Sequence, residues 1–287
     1  MTSWWGHEEL FKMNFEVEDL DLIGDHLFTL GVPWNASEEF KKKVMSAAKS
    51  YNLGIKSVDY TLKKYGQYWS FKPSIEKELN EAIQDLKRII VNALDYLMEI
   101  TDKPDIPSLY FCGAALIRLQ NTFKAALISI KSRLYFEGMS LERMILEQLA
   151  WIYKVHNMED FFEVKPNKCI KDLKKMMPFV GRLYNYLSNG VHLSPKLFNE
   201  YIEKDLSIKM GDIKQSYLNL YILFLLADIF CIVGEYIYAN TKLVTEYRYI
   251  ECANGKLKPR DNRDTVDMIK KYQKFIKEEN FLNGQGF

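Results

Sequence analysis

The amino-acid sequence predicts an all-α protein, a multi-helix bundle with a smaller N-terminal helical part. Three observations carry that reading. Only eight prolines and fourteen glycines interrupt 287 residues, which favours long regular elements. Apolar residues recur three and four positions apart over long stretches, most regularly at Ile75, Leu79, Ile83, Leu86, Ile90, Ala93, Leu97 and Ile100, the spacing of one helix face. The run from Tyr217 to Gly234 is hydrophobic on all sides, as a helix enclosed by others must be. With 48% hydrophobic residues the chain can bury enough surface to offset the entropy of ordering it.

Taken in order, Leu20, Ile23, Leu27 and Leu30 predict a helix over Val17 to Leu30, closed by Gly31 and Pro33. Ser37, followed by Glu38 and Glu39, starts the next helix, because its hydroxyl can take an orphan amide and the acids oppose the positive end of the dipole. Phe40, Val44, Ala47, Ala48 and Tyr51 form its buried stripe; Gly54 breaks it and Ile55 to Tyr65 continue as a separate helix. Trp69 to Pro73 is a connection, and Ser74 caps a helix longer than six turns. The stretch Thr101 to Pro107, with two prolines, is the natural boundary, which divides the chain into an N-terminal helical part (1–103), a core bundle (104–253) and a basic C-terminal helix and tail (254–287).

In the core, Phe111, Ala114, Ala115, Leu119, Phe123, Ala126 and Ile130 mark a helix with small residues that allow close approach. Glu137-Gly138 reads as an interruption, and Ser140 as the cap of a helix through Tyr153. A lysine-rich helix from Cys169 to Met177 ends at Pro178, and Phe179 begins a helix that Gly190 can close. Ser194-Pro195 is a strong helix start. The segment Tyr217 to Gly234 approaches membrane-spanning length, but Asp228 near its middle and the absence of a basic flank argue for a buried helix and no membrane. Lys242 to Cys252 is ambiguous between helix and strand, Asn254 to Arg263 is a connection, and Thr265 to Glu278 is a final helix.

The net charge of +1 gives no general pull toward polyanions, but its distribution is uneven. Residues 1–39 hold nine acids against Lys12, while residues 256–277 hold eight bases against three aspartates, so the two ends can attract each other within or between chains. Lys256, Lys258, Arg260, Arg263, Lys270, Lys271 and Lys274 are therefore candidate nucleic-acid contacts, with RNA as a partner whose binding would fall steeply with salt. Cys112, Cys169, Cys231 and Cys252 are scattered, and no secretory leader precedes them, so reduced thiols in the cytoplasm are expected. His7, His26, His156 and His192 have no metal-ligand spacing, and no metal or other cofactor is expected. Nucleotide loops, the nucleophile elbow and the zinc-protease helix are all missing.

What remains is a polar set. Arg143 and Glu147 share one face of an apolar helix at i and i+4, beside Glu142, and Arg133 and Glu137 repeat the spacing one segment earlier. One reading is an ion pair that fixes helix register; the other is a site. His192, in the turn after Gly190, is the candidate partner, either a satisfied histidine bonded to Glu147 or Tyr186, or a general acid or base with Arg182 or Arg143 supplying positive charge.

The segments Leu141-Glu-Arg-Met-Ile-Leu-Glu-Gln-Leu-Ala-Trp-Ile-Tyr153 and Tyr186-Leu-Ser-Asn-Gly-Val-His192 resemble those of prokaryotic helical proteins that are distantly similar to the HEPN superfamily of helical, often dimeric, RNA-targeting domains. The resemblance covers roughly residues 108 to 240. It implies a bundle, a tendency to form homodimers or dock a protein partner, and an association with toxin or phage-defence systems. Active HEPN nucleases carry an arginine closely followed by a histidine at a dimer interface and cleave RNA without metal. Here nine residues separate Arg182 from His192, a departure from that pattern. The expected function is thus a helical interaction module, with a metal-independent ribonuclease using His192, Arg182, Arg143 and Glu147 as the alternative.

Overall fold

Helix-forming periodicity dominates the fold as it dominates the sequence. The computed structural model describes residues 20–25, 28–33, 36–71, 77–100, 106–132, 134–191, 213–239 and 246–273, and among them it contains nine α-helices and two short hairpins. The protein is an all-α, multi-helix fold. Its contacts group into two units, Met1–Lys77 and Glu78–Phe287.

The first unit corrects the N-terminal expectation. The stretch assigned to a helix forms an antiparallel hairpin, β1 (Leu20–Asp25) and β2 (Phe28–Pro33). Phe28, Leu30 and Val32 alternate with Thr29 and Gly31, a period of two, and the register sets Ile23 opposite Leu30. Ile23 and Val32 are thereby buried with Met45, and Leu30, Val44, Trp69 and Phe71 pack around them. A helix through the same residues would satisfy its own spacing but could not present this set to one small core. Helix α1 (Glu38–Asn52) begins as expected, with Ser37 Oγ accepting the Phe40 amide at 3.1 Å. Its buried side is Lys41, Met45, Ser46 and Ser50, whereas Phe40 and Tyr51 are exposed, so the expected apolar stripe is rotated. A polar contact explains the choice: Ser50 Oγ donates to Thr61 Oγ1 at 2.7 Å and ties α1 to α2 (Val58–Tyr65).

In the second unit α3 (Lys77–Ile100) buries Leu79, Ile83, Leu86, Ile90, Ala93, Leu97 and Ile100, the seam its spacing predicts. Ser74 and Ile75 lie outside the described residues. Helix α4 (Pro107–Lys131) has proline in its first turn, where no intrahelical amide is lost. It buries Cys112, Leu116, Leu119, Phe123, Ala126 and Ile130, and Phe111 and Ala114, expected inside, face outward. Helix α5 (Tyr135–Val155) returns antiparallel beside α4, with Ser108 Oγ donating to His156 O at 3.0 Å across their far ends. Helices α6 (Pro166–Met176) and α7 (Val180–Val191) pack on α5. Gly190 sits within α7 in helical backbone, so it does not close the helix in the left-handed conformation.

Helix α8 (Ile213–Tyr238) is enclosed by α4, α5 and the C-terminal elements. It is long and apolar enough to cross a membrane, and 94% of its most apolar window is buried within the protein. The end of the ambiguous segment and the connection after it form a second hairpin, β3 (Ile250–Ala253) and β4 (Lys256–Pro259), followed by α9 (Asp264–Gln273), while residues 242–245 lie outside the described residues. Asn254 and Gly255, at φ 53° and 72°, make the two-residue turn, and Asn-Gly is the pair that tolerates positive φ at both positions. That dipeptide was the available signal for the hairpin.

Glu137-Gly138 does not interrupt α5, and Ser140 is interior rather than a cap, its Oγ donating to Phe136 O at 3.2 Å. The glycine has a packing reason. A Cβ at Gly138 would lie 2.7 Å from Asn219 Nδ2, the atom that donates to Tyr135 O at 3.0 Å and locks α8 to the start of α5. Gly138→Ala should therefore destabilise the fold by about 1–3 kcal/mol, read as a lower urea midpoint. An unchanged midpoint would show that the Asn219 bridge is dispensable.

Candidate functional site

Helix α5 carries its polar residues on two different faces. Arg143, Glu147 and Tyr184 of α7 close a triangle: Arg143 Nε donates to Glu147 Oε1 at 2.9 Å, Arg143 Nη2 donates to Tyr184 Oη at 3.1 Å, and Tyr184 donates to Glu147 Oε1 at 3.0 Å. The guanidinium also lies 5.2 Å from the centre of the Tyr184 ring. The pair expected from the i, i+4 spacing is thus present, and Tyr184, which spacing alone does not single out, completes it. Its members are half-buried and mutually satisfied, which is the arrangement of a clasp between α5 and α7.

Arg182, one turn before Tyr186 on α7, is exposed and lines a groove with Tyr184 and Asn185. His192, together with Ser194 and Pro195, lies outside the described residues, as do Arg133 and Lys274. Tyr186, a candidate partner for that histidine, shares a 2.7 Å hydrogen bond with Tyr135. The structure therefore brings Arg143 and Glu147 together and places Arg182 on the neighbouring surface.

Glu142 is the unexpected residue. One position from Arg143, it turns into the core, where it is 0% exposed and neither carboxyl oxygen has a hydrogen-bond partner among the described residues. Burial holds its pKa well above the ordinary carboxylate range, which favours the neutral, protonated form.

Two more acids stand on the apolar α8, seven residues apart and so on one face. Asp228, 1% exposed, accepts from Arg263 Nε at 2.5 Å, from Arg263 Nη2 at 2.6 Å and from Thr265 Oγ1 at 2.5 Å. Glu235, 0% exposed, accepts from the amides of Arg248, Tyr249 and Ile250, each at 2.7 Å, and from the Tyr96 hydroxyl. Three successive amides aimed at one carboxylate form an anion-holding nest, here occupied by the protein's own side chain. Burial, then the bond to Glu235, raises the Tyr96 pKa, so its hydroxyl stays protonated and donates.

The basic C-terminal set is largely spent on such internal contacts. Arg263 is the buried partner of Asp228; Arg260 donates to Tyr247 O at 2.8 Å; Lys258 pairs with Glu251 at 2.8 Å; Lys271 pairs with Asp85 at 2.7 Å; Lys270 lies 3.9 Å from Asp267. Lys256 makes no ion pair among the described residues and borders a groove with Tyr153, Tyr236 and Lys175. The charge run that suggested a nucleic-acid face thus includes the anchors of the C-terminal elements. Spacing gives no sign of the Arg263–Asp228 and Lys271–Asp85 pairs, because those partners are remote in sequence.

No family model, curated protein or solved structure matches the chain. Function has to be argued from its own surfaces. A polar groove of about 470 Å³ opens beside Tyr96, lined by Arg248, Arg260, Arg263, Asp95, Glu99 and Asp264. Acids and bases alternate around it, and Arg263 is committed to Asp228. Among the described residues no group of three or more His, Cys, Asp or Glu side chains is placed to hold a metal. Cys112, Cys169 and Cys231 are buried free thiols, and burial lowers the pKa of His156, whose Nδ1 lies 2.9 Å from Tyr153 O.

Arg263→Leu leaves Asp228 buried without its countercharge and should cost about 3–5 kcal/mol in a urea melt. A loss comparable to that of an exposed lysine would contradict the anchoring role. For Glu142 the sign follows from a folded-state pKa raised above the unfolded one: the native state holds the proton more tightly. Its contribution is full below the unfolded pKa and is lost as pH rises through the folded one. Wild type should therefore lose stability relative to Glu142→Gln as pH rises above the ordinary carboxylate range, and parallel curves would refute a raised Glu142 pKa.

Proposed function

We propose that this protein is a non-catalytic helical interaction module that associates with a second copy of itself, and that it serves a toxin or phage-defence system, as its resemblance to HEPN-like proteins suggests. One observation carries the proposal. At the start of α4 and in the loop before α6, Tyr110 is 61% exposed, Phe111 44% and Phe162 75%. These three rings are in edge contact, with Tyr110 to Phe111 at 6.0 Å and Phe111 to Phe162 at 6.0 Å between centroids. Beneath them Phe161, only 3% exposed, stacks on Phe162 at 4.6 Å and meets Trp151 at 6.2 Å. An exposed aromatic patch seated on a rigid buried base has the composition of an interface centre, where large side chains are already ordered before binding.

The non-catalytic reading is favoured over a metal-independent ribonuclease by the state of Arg143. Its Nε and Nη2 donate to Glu147 and Tyr184, which directs it to an internal partner rather than to a developing phosphate charge.

Sedimentation of the wild-type chain should reveal a dimer, and Phe162→Asp should raise the dimer dissociation constant by at least about tenfold. A wild-type chain that stays monomeric over the accessible concentration range would reject self-association.

A further inference from the structure

The corner between α6 and α7 gathers cations without acids. Lys168, Lys171 and Lys174 follow one another at intervals of three along the exposed flank of α6, while Cys169, Ile170 and Leu173 are buried on the other side. Arg182 and Asn185 of α7 face them across a groove of about 510 Å³, a volume typical of small-ligand sites. No carboxylate is among the described residues that line this groove. The one acid of α6, Asp172, is held elsewhere by Lys175 at 2.8 Å and Lys154 at 3.6 Å. Lys168, Lys171 and Lys174 make no ion pair among the described residues.

This sets the groove apart from the C-terminal basic segment, whose charges are mostly neutralised within the fold. Three lysines held together in a concave site, without counterions among the described residues, raise the local potential and favour an anion of high charge density. The Lys174 stem lies against Gly181: a Cβ there would stand 3.0 Å from Lys174 Cδ and 3.2 Å from its Cε, so the stem would have to shift. Asn185 adds an amide able to donate to a phosphate oxygen. The lysine stripe extends only about 9 Å along a three-turn helix, a length suited to a compact ligand rather than a long strand.

We propose that the α6–α7 groove binds a compact polyphosphate carrying three or more linked phosphate groups. The site is independent of the aromatic patch and of self-association. Calorimetric titration of the full chain with inorganic tripolyphosphate at low salt should show binding that weakens as salt is added. Lys171→Gln/Lys174→Gln should weaken it by at least about tenfold, because charge-assisted hydrogen bonds are lost. Gly181→Ala should weaken it in the same direction by displacing Lys174 without removing a charge, and Lys270→Gln on α9 should leave it unchanged. All substituted positions but Gly181 are exposed, and unaltered circular dichroism would confirm that the variants fold. Absence of tripolyphosphate binding, equal binding by the double variant, or tighter binding of a single-stranded oligonucleotide or polyglutamate of equal charge would overturn the proposal.

Discussion

The C-terminal third of this protein depends on two carboxylates buried on its most hydrophobic helix. Asp228 and Glu235 stand about two turns apart on α8 and would each be costly to bury alone. Each is saturated instead, Asp228 by the Arg263 fork and Thr265, Glu235 by Tyr96 and three consecutive amides. The donors come from α3, from the segment entering β3 and from the start of α9. One helix face therefore seats elements that have little apolar surface of their own. Asp85 repeats the device from α3: burial works against its charge, but Lys271 and Tyr272 of α9 hold its pKa below the ordinary range. The Tyr272 ring stacks on Phe224 of α8 at 4.7 Å, so α9 is pinned to α3 and α8 together.

Glu142 obeys the opposite rule. It has the same chemistry and similar burial, yet no donor reaches it among the described residues, and burial raises its pKa. The contrast separates two ways of tolerating an acid in a core: surround it with donors that favour the charge, or let burial keep the proton. Only the first builds architecture.

Surface chemistry divides by location. The start of α4 and the loop before α6 present exposed aromatics in edge contact, whereas the α6–α7 corner presents a stripe of lysines. Both rest on α5, which packs against α4, α6, α7 and α8 and thereby fixes their relative positions. The Arg143, Glu147 and Tyr184 clasp ties α7 to α5, and Tyr184 also lines the cationic groove.

Much of the helical framework was legible in the sequence. The seam of α3, the Ser37 cap and the enclosed α8 follow from periodicity, capping chemistry and an all-round apolar surface, which are properties of consecutive residues. The Arg143–Glu147 pair follows likewise, because i and i+4 are neighbours on any helix. The N-terminal hairpin did not follow, since Leu20, Ile23, Leu27 and Leu30 satisfy a helix while Phe28, Leu30 and Val32 satisfy a strand, and the core formed with Met45 decides between them. Nor did the burial of Glu142 or the pairing of Asp228 with Arg263, 35 residues apart. Local spacing determined most of the helices; only the tertiary structure decided the N-terminal hairpin and which charges are anchors, because both depend on partners contributed from distant parts of the chain.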